Sequence, residues 1–348
     1  MINFAIVGCG RIAKKHVEAI KSTEGAELVS LCDVDIDRLN KMASENNIER
    51  IYTSIDEMVK DSHIDVVNIC TPNAVHADNA IEAIEAGKHV MIEKPIATCL
   101  EDADRILEAA KRNGVKATAV HQNRFNEAIQ KTRKACEEGK FGEMSHGVAS
   151  IRWNRNMGYY KQDSWRGTVE HQDGVLMNQC IHNIDLLIWM MGPVKSVTGK
   201  TVTRFRDIEM EDVGSAILEF ENGAIGIIEG AGTIYPTNLE ETLNLFGSKG
   251  TACVGGIAVN KIENWRFTDD FQEEESNLLE QQHDNPPTVY GFGHQLIIED
   301  MVDSINSNRE PYITLEDGRN AIEVVLAIYK SSQLGQSIEL NQEVSVRN

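Results

Sequence analysis

The sequence lacks any run of about 18 consecutive apolar residues, the length that a membrane-spanning helix requires. Its first residues, MINFAIVGCG, contain neither the basic region nor the small-residue cleavage site of a secretion signal. Both absences predict a protein without a membrane partner, and we expect it to be cytoplasmic.

Cysteine and positive charge are both scarce. The seven cysteines are scattered and never spaced C-x-x-C, so they indicate neither a disulfide framework nor a zinc knuckle, and no metal site is predicted. Lys and Arg number 34 against 54 Asp and Glu, a formal net charge of −20. A field of that sign repels phosphate backbones, which argues against a nucleic-acid partner but not against a small anionic ligand.

The remaining composition is that of a folded protein, and a length of 348 residues predicts about two domains. Over residues 1–121, short apolar runs alternate with amphipathic helical patterns, which predicts an α/β domain with a doubly wound parallel sheet. Over 122–348, helical patterns and the β-like runs of 194–267 predict a second, α+β domain. An acidic stretch at 269–287 is expected to be a solvated loop.

The first apolar run is followed by residues 8–13, which match the pattern G-x-G-x-x-A. Between a strand and a helix, such glycines let the backbone approach a pyrophosphate, while the helix N-terminus supplies N–H groups. The alternative is a tight strand-to-helix turn without a ligand. The residues expected to contact the pyrophosphate are Gly8, Gly10, Arg11 and Ile12.

The second strand ends at Asp33, about 20 residues after the glycines. An acid at this position can accept a hydrogen bond from a ribose 2′-hydroxyl, which favours NAD over NADP. Asp33 could instead cap a helix or form a turn, and the nearby Arg38 could soften the discrimination against a 2′-phosphate.

The fourth strand is followed by Thr71-Pro72-Asn73, with His76 shortly after. The carboxyl ends of parallel strands are where such sheets bind ligands, so we expect Thr71, Asn73 and His76 to contact the cofactor. An ordinary turn is the alternative.

The fifth strand is followed by Glu93-Lys94-Pro95. We expect Glu93 and Lys94 to contact the cofactor as well. A lysine beside a cationic nicotinamide has its pKa lowered, which suits it to proton transfer, so Lys94 is also a candidate catalytic residue. The alternative is an ordinary surface lysine.

In the second domain, a strongly apolar helix is predicted over 178–191. Asn178, His182 and Asp185 share one face of that helix. A buried imidazole needs a hydrogen-bond partner, and its presence in an apolar helix calls for a structural or functional explanation. Asn178 and His182 are therefore candidate catalytic residues, and a satisfied core histidine is the alternative.

A segment of little periodicity before this helix concentrates arginines and aromatic residues. Arginine binds phosphate or carboxylate bidentately and tyrosine stacks on rings, so the segment is typical of a ligand loop. Packing between domains, or pairing of the arginines with nearby acids, is the alternative. The candidate substrate contacts here are Arg155, Tyr159 and Tyr160, and the candidate cofactor contacts are Trp165 and Arg166.

Taken together, these residues resemble the glucose–fructose oxidoreductase/inositol dehydrogenase/rhizopine catabolism (Gfo/Idh/MocA) family over essentially the whole chain. The resemblance implies an N-terminal Rossmann domain, a C-terminal α+β domain with an open, largely antiparallel sheet, and a homodimer or homotetramer that uses the outer face of that sheet. The residues that carry the resemblance are Gly8, Gly10, Ala13, Asp33, Thr71, Pro72, Asn73, His76, Glu93, Lys94, Pro95, Trp165, Arg166, Gly167, Thr168, Asp173, Gly174, Asn178, His182 and Asp185.

By this resemblance, Lys94 and His182 act in hydride transfer between a nicotinamide and a sugar secondary alcohol. Many members have an aspartate four residues before the histidine, whereas this chain has Asn178, which can orient a hydroxyl but cannot carry a proton. His182 is expected to take the hydroxyl proton and Lys94 to stabilise the alkoxide, although these roles could be exchanged. Asp185 is expected to orient the imidazole.

Within the family, the sequence looks most like the WlbA-type branch, which oxidises C3 of UDP-N-acetylglucosaminuronate. The expected function is therefore NAD-dependent oxidation of a UDP-linked N-acetylated amino sugar. Two alternatives stay open: a dehydrogenase of a free sugar or a cyclitol such as inositol, and a non-catalytic regulator that binds a nucleotide or a sugar.

Overall fold

A computed structural model of the protein describes residues 1–268, 291 and 293–340. The chain divides into two compact units. The first contains residues 1–122 and the segment from Gly293 to Ile322, and the second contains the rest of the described chain. The acidic stretch at 269–287, expected to be a solvated loop, lies outside the described residues. No helix within the described ranges is long and apolar enough to cross a membrane.

The first unit is built on six strands that are all parallel. They are β1 (Ile2–Val7), β2 (Ala26–Cys32), β3 (Arg50–Tyr52), β4 (Val66–Ile69), β5 (His89–Ile92) and β6 (Ala117–Ala119). Their order in the sheet is β3-β2-β1-β4-β5-β6, that of a Rossmann fold, so the strand order reverses between β1 and β4. Ligands of such sheets bind at the carboxyl ends of the strands beside this reversal.

Helices cover both faces of this sheet, which explains why its central strands are apolar without alternation. They are α1 (Ala13–Ser22), α2 (Ile36–Asn46), α3 (Ile55–Met58), α4 (His76–Glu85) and α5 (Leu100–Asn113). Every residue of β4 is buried, as are the last four of β1. In α5, residues spaced three and four apart, such as Ala103 and Ile106, form the buried stripe of an amphipathic helix.

The second unit contains, in its described residues, an eight-stranded sheet in which only β7 and β10 are parallel neighbours. The strands are β7 (Met144–Arg152), β8 (Val194–Val202), β9 (Val213–Phe220), β10 (Ile225–Ala231), β11 (Glu240–Gly247), β12 (Gly250–Gly255), β13 (Lys261–Phe267) and β14 (Ile338–Glu339). Their order is β13-β12-β11-β7-β10-β9-β8-β14. A Rossmann unit followed by an open, largely antiparallel sheet confirms the predicted fold class.

Helical segments pack against one face of this sheet. They are α6 (Glu127–Glu137), α7 (Met157–Tyr160), a π-helix (Val175–Cys180) and α8 (Ile181–Met191). Along β9, residues alternate between buried and exposed, as expected for a sheet with one covered face. The helix predicted over 178–191 is α-helical only from Ile181, because residues 175–180 form a π-helix, which has a wider turn.

Two helices follow the residues that are not described, α9 (Gly293–Asn306) and α10 (Leu315–Leu334). Helix α9 packs on α1, where Gln295 donates a hydrogen bond to the Ser22 carbonyl. The predicted second domain, 122–348, thus includes a segment that belongs to the first unit. Helical periodicity showed that α9 has a buried face but could not show which sheet layer it covers.

Candidate functional site

The glycine-rich loop follows β1, at the point where the strand order reverses. Gly8 has φ +92°, and a Cβ atom there would lie 2.6 Å from the Cys70 carbonyl oxygen, so only glycine fits. Gly10 is different, because a Cβ atom there would meet no atom within 4 Å. Packing therefore does not require Gly10 to be glycine, whereas close approach of a ligand would.

Helix α1 begins directly after this loop. Ile12 is the residue before its first turn, and its side chain forms no capping hydrogen bond. Arg11 is exposed at the same place. An uncapped helix N-terminus beside an open glycine offers N–H donors and a positive dipole end, which fits a pyrophosphate.

Asp33 lies at the carboxyl end of β2 and is buried. Its two carboxylate oxygens accept the N–H groups of Cys9, at 2.7 Å, and Asp35, at 2.8 Å. The side chain thereby holds the glycine-rich loop against the end of β2. The Arg38 guanidinium lies 3.8 Å from the Asp33 carboxylate with a half-exposed side chain, and its effect on discrimination against a 2′-phosphate stays a prediction.

His76 connects two loops at the same edge of the sheet. Its ring nitrogens lie 2.7 Å from the carbonyl oxygens of Thr71 and Pro95. Burial lowers the pKa of His76, and a neutral ring can donate to only one of these carbonyls. The ring therefore orients the loops after β4 and β5, in which Thr71 is half-buried and Asn73 buried. Direct contact of these residues with a cofactor stays a prediction.

Glu93 is the centre of a buried polar network in the first unit. His16 Nε2 lies 2.9 Å from Glu93 Oε1, and His294 Nε2 lies 3.8 Å from the same oxygen. Burial alone would raise the pKa of Glu93, but the hydrogen bond from His16 and the nearby His294 imidazole hold this pKa well below its usual range. Asn68 Nδ2 donates to His16 Nδ1, which places the His16 proton on Nε2, facing the carboxylate.

Three potential ligand groups, His16, Glu93 and His294, lie within 4.8 Å of one another, and the hydrogen bond from His16 to Glu93 joins two of them. The second oxygen of Glu93 accepts the N–H of Lys94 at 3.2 Å. Lys94 is half-buried, and its bond to Pro95 is cis. The network thus holds the backbone at the candidate catalytic lysine.

In the second unit, Asn178 lies in the π-helix and His182 in the first turn of α8. The Asn178 amide nitrogen donates to Asp173 Oδ1, and Asp173 Oδ2 accepts the Gly167 N–H at 2.7 Å. His182 is buried, with 8% of its surface exposed. A π-turn inside an α-helix is common at functional sites, and Asn178 lies within it.

The Tyr159 hydroxyl brings several predicted residues together. It accepts from Arg166 Nη1 at 2.6 Å, and the amide nitrogens of Gln179 and Asn178 lie 3.2 and 3.4 Å away. The Arg166 guanidinium lies between the rings of Tyr159 and Trp165, 4.4 and 4.5 Å from their centroids. Gln179 was not predicted, because on an apolar helix it looks like a solvated position.

Three arginines differ in their partners: Arg152 at the end of β7, and Arg155 and Arg166 of the predicted ligand loop. Arg152 is bound by Glu229 and Glu240, and Arg166 Nε donates to Asp163 at 2.9 Å. Pairing with acids, the alternative to ligand binding, thus applies to both of these arginines.

Arg155 has no acidic partner among the described residues. Its Nη1 atom donates to the Asn154 carbonyl at 3.0 Å, and its guanidinium lies 4.5 Å from the Trp153 ring centroid. The Arg155 Nε atom and the nearby Tyr160 hydroxyl are buried without a hydrogen-bond partner in the described chain. Buried donors of this kind are normally satisfied, so water or a ligand is needed here.

Asp185, predicted to orient His182, forms a bidentate ion pair with Arg124, with N–O distances of 2.8 and 2.6 Å. Both side chains are buried, and the Arg124 guanidinium also lies 4.7 Å from the centroid of Trp189. Arg124 was not predicted as a partner, because 61 residues separate it from Asp185.

Comparison with known proteins supports the predicted resemblance. Residues 2–121 match the oxidoreductase family with an NAD-binding Rossmann fold, and residues 133–340 match its C-terminal alpha/beta domain. The WlbA dehydrogenase of Bordetella pertussis, whose crystal structure is a complex with NADH and UDP-GlcNAcA, is 36% identical, with a TM-score of 0.88 and coverage of 98% of this chain and 99% of that one.

A second WlbA dehydrogenase, from Chromobacterium violaceum and also in complex with NADH and UDP-GlcNAcA, is 35% identical, with a TM-score of 0.90 and coverage of 98% and 96% of the two chains. The myo-inositol 2-dehydrogenase of Thermotoga maritima is 26% identical over 99% of this chain and 100% of its own. The family matches span both units. The chain therefore belongs to the Gfo/Idh/MocA family of oxidoreductases, and its cofactor is NAD.

Proposed function

We propose that the protein is a dehydrogenase that oxidises a ring secondary alcohol of a UDP-linked N-acetylated amino sugar, with a hexuronate oxidised at C3 as the leading candidate. The observation that carries the proposal is the 35–36% identity, over 98% of the chain, to two WlbA dehydrogenases that bind UDP-GlcNAcA.

Charge supports this substrate class. A protein of net charge −20 needs local cations to bind a pyrophosphate and a carboxylate. Arg155, which no acid among the described residues neutralises, supplies one. A neutral cyclitol would need no such charge.

In the proposed reaction, bound NAD⁺ supplies the hydride acceptor. The substrate carbon that bears the hydroxyl loses the hydride, and His182 accepts the proton of that hydroxyl. Lys94 stabilises the developing alkoxide by its positive charge. Asn178 donates or accepts a hydrogen bond that orients the hydroxyl or a neighbouring substituent. Glu93, which accepts a hydrogen bond from His16, fixes the backbone from which Lys94 projects.

A second candidate is oxidation of a cyclitol or a free sugar. It is favoured by relatives such as the myo-inositol 2-dehydrogenase of Thermotoga maritima, although their identity to this chain is lower.

Turnover of a substrate panel tests the proposal. The NAD-loaded protein should form NADH with UDP-N-acetylglucosaminuronate faster than with UDP-N-acetylglucosamine, and calorimetry should rank the two ligands likewise. Activity confined to myo-inositol would overturn the nucleotide-sugar assignment, and the absence of NADH with every sugar tested would favour a non-catalytic binder.

We predict that the protein binds NADH at least about tenfold more tightly than NADPH, because the Asp33 carboxylate would repel a 2′-phosphate. Asp33→Asn keeps an oxygen that accepts the Cys9 N–H but removes the negative charge, so it should lower the ratio of the NADPH Kd to the NADH Kd. Fluorescence titration with both cofactors measures this ratio. The matched control is Asp37→Asn, which removes the charge of an exposed aspartate. Equal or tighter binding of NADPH by the wild type would remove Asp33 from this role.

We further propose a cytoplasmic homodimer or homotetramer that uses the outer face of the second unit's sheet. Ile217 and Ile227 lie opposite each other on β9 and β10 and are 54% and 40% exposed. Replacing both by lysine should lower the molar mass measured by light scattering, whereas Leu296→Lys on α9 should not. A monomeric wild type, or a double variant of unchanged mass, would exclude this interface.

A further inference from the structure

The helix that carries Asn178 and His182 begins inside the second unit without a capping side chain on its own first residue. Gly174 precedes its first turn and offers none, and Val175, Leu176 and Met177 are all buried. The N–H groups of a first turn have no partner within the helix, and burial without a partner is costly. They must therefore be bound from elsewhere in the unit.

Glu211 binds two of these N–H groups, and Tyr329 in turn binds Glu211. The Glu211 carbonyl accepts the Val175 N–H at 3.1 Å, and its carboxyl Oε1 accepts the Leu176 N–H at 2.9 Å. The Tyr329 hydroxyl donates to the same Glu211 oxygen at 3.0 Å.

The position of Glu211 explains the glycine before the helix. A Cβ atom on Gly174 would lie 2.0 Å from Glu211 Oε2, so any other residue would displace the carboxyl group. Glu211 itself is 5% exposed. A buried acid in contact with a glycine backbone and a tyrosine hydroxyl has a fixed position, and so do the amides that it binds.

The turn held in this way contains the candidate catalytic groups. Asn178 lies two residues after Leu176, and its side chain is tied to Asp173, just before the helix. His182 follows one turn later, so a shift at the start of the helix would move both side chains. Displacement of a reacting group by about 1 Å can reduce the rate 10²-fold.

We propose that Glu211 and Tyr329 are positioning residues for Asn178 and His182: Glu211 binds the backbone of the π-helix, and Tyr329 holds the Glu211 carboxyl group. The inference rests on the proposed function for the roles of Asn178 and His182. It does not depend on which sugar is the substrate.

The ionisation of Glu211 provides a signature of this arrangement. Burial, together with the negative charge of Asp173, raises the pKa of Glu211 to about 7. The titratable groups that face it are Asp173 from the segment before the helix, Cys180 from the π-helix and Tyr329 from α10. Part of the pH dependence of kcat near neutrality should therefore come from Glu211.

Steady-state kinetics with the sugar that the wild type oxidises, whichever it is, test the proposal. Glu211→Leu should lower kcat on the order of 10²-fold, with the Kd for NADH within about twofold of wild type. Glu211→Gln keeps the accepting oxygen and should restore most of kcat, while removing the component of the pH profile near 7. Changes that persist in that variant belong to other groups. The exposed Glu221→Gln is the matched control.

Tyr329→Phe tests the same proposal if Glu211→Leu does not fold, because it removes only a hydroxyl group. It should lower kcat about 3- to 10-fold at unchanged NADH affinity, and exchange of the Leu176 backbone amide should accelerate, because Glu211 loses the hydroxyl that holds it. Wild-type kcat in both Glu211→Leu and Tyr329→Phe, or slow amide exchange in both, would overturn the inference. Failure of every UDP-sugar as substrate would count against the proposed function alone, because the ratios of kcat and the exchange rates do not depend on it.

Discussion

Replacing Lys94 by Ala should lower kcat by about 10²-fold or more and leave the affinity for NADH close to that of the wild type. Lys94 lies after β5, at the edge of the sheet where a Rossmann fold binds its ligands. If its charge stabilises an alkoxide that exists only during the reaction, its loss affects the transition state far more than the ground state. Pre-steady-state formation of NADH, with a parallel NADH titration, measures both effects.

Two further variants distinguish a catalytic role of the Lys94 charge from a general effect of losing a lysine. Lys111→Ala removes an exposed lysine of the same unit at the end of α5, and it should have wild-type kinetics. His182→Asn should resemble Lys94→Ala, with a large loss of kcat and intact cofactor binding. Near-wild-type turnover by Lys94→Ala with the true substrate would make this lysine an ordinary surface residue.

The first unit could be predicted from sequence because its signals are local. Each strand of its sheet is a short apolar run, and Gly8 and Asp33 stand directly at strand ends, so their places follow from the strand order alone. The requirement for Gly8 is likewise local in origin, since the loop must pass close to the Cys70 carbonyl.

The hydrogen-bond partners of the candidate site residues could not be predicted, because these partners come from distant parts of the chain. Glu93 is bound by His16, 77 residues away, and the Leu176 N–H by Glu211, 35 residues away. A helical pattern shows that a helix has a buried face and carries no information on what covers it. The π-turn was missed for a related reason, since it is a local departure from the 3.6-residue period on which the prediction rests.

Replacing Arg155 by Ala should raise the KM for a UDP-hexuronate by about 10- to 100-fold, the loss expected for a hydrogen bond to a charged group. Arg155 has no acidic partner in the described residues, whereas the neighbouring Arg152 and Arg166 are paired with acids. Its positive charge is thus uncompensated within the described chain, and its buried Nε atom lacks a partner there. An anionic ligand would supply the missing charge and acceptor together.

Initial rates with a UDP-sugar and with a neutral sugar test this assignment within one variant. The neutral sugar loses no charge-assisted contact, so any slow activity toward it should change less than about twofold in Arg155→Ala. Arg266→Ala removes an exposed arginine on β13 of the same unit and should leave both rates unchanged. If Arg155→Ala raises the KM for both sugars equally, Arg155 supports the packing of Trp153 and Tyr159 and does not bind an anion. An unchanged KM for the UDP-sugar would move the anion site elsewhere, because the paired Arg152 and Arg166 would have to leave their acids to form it.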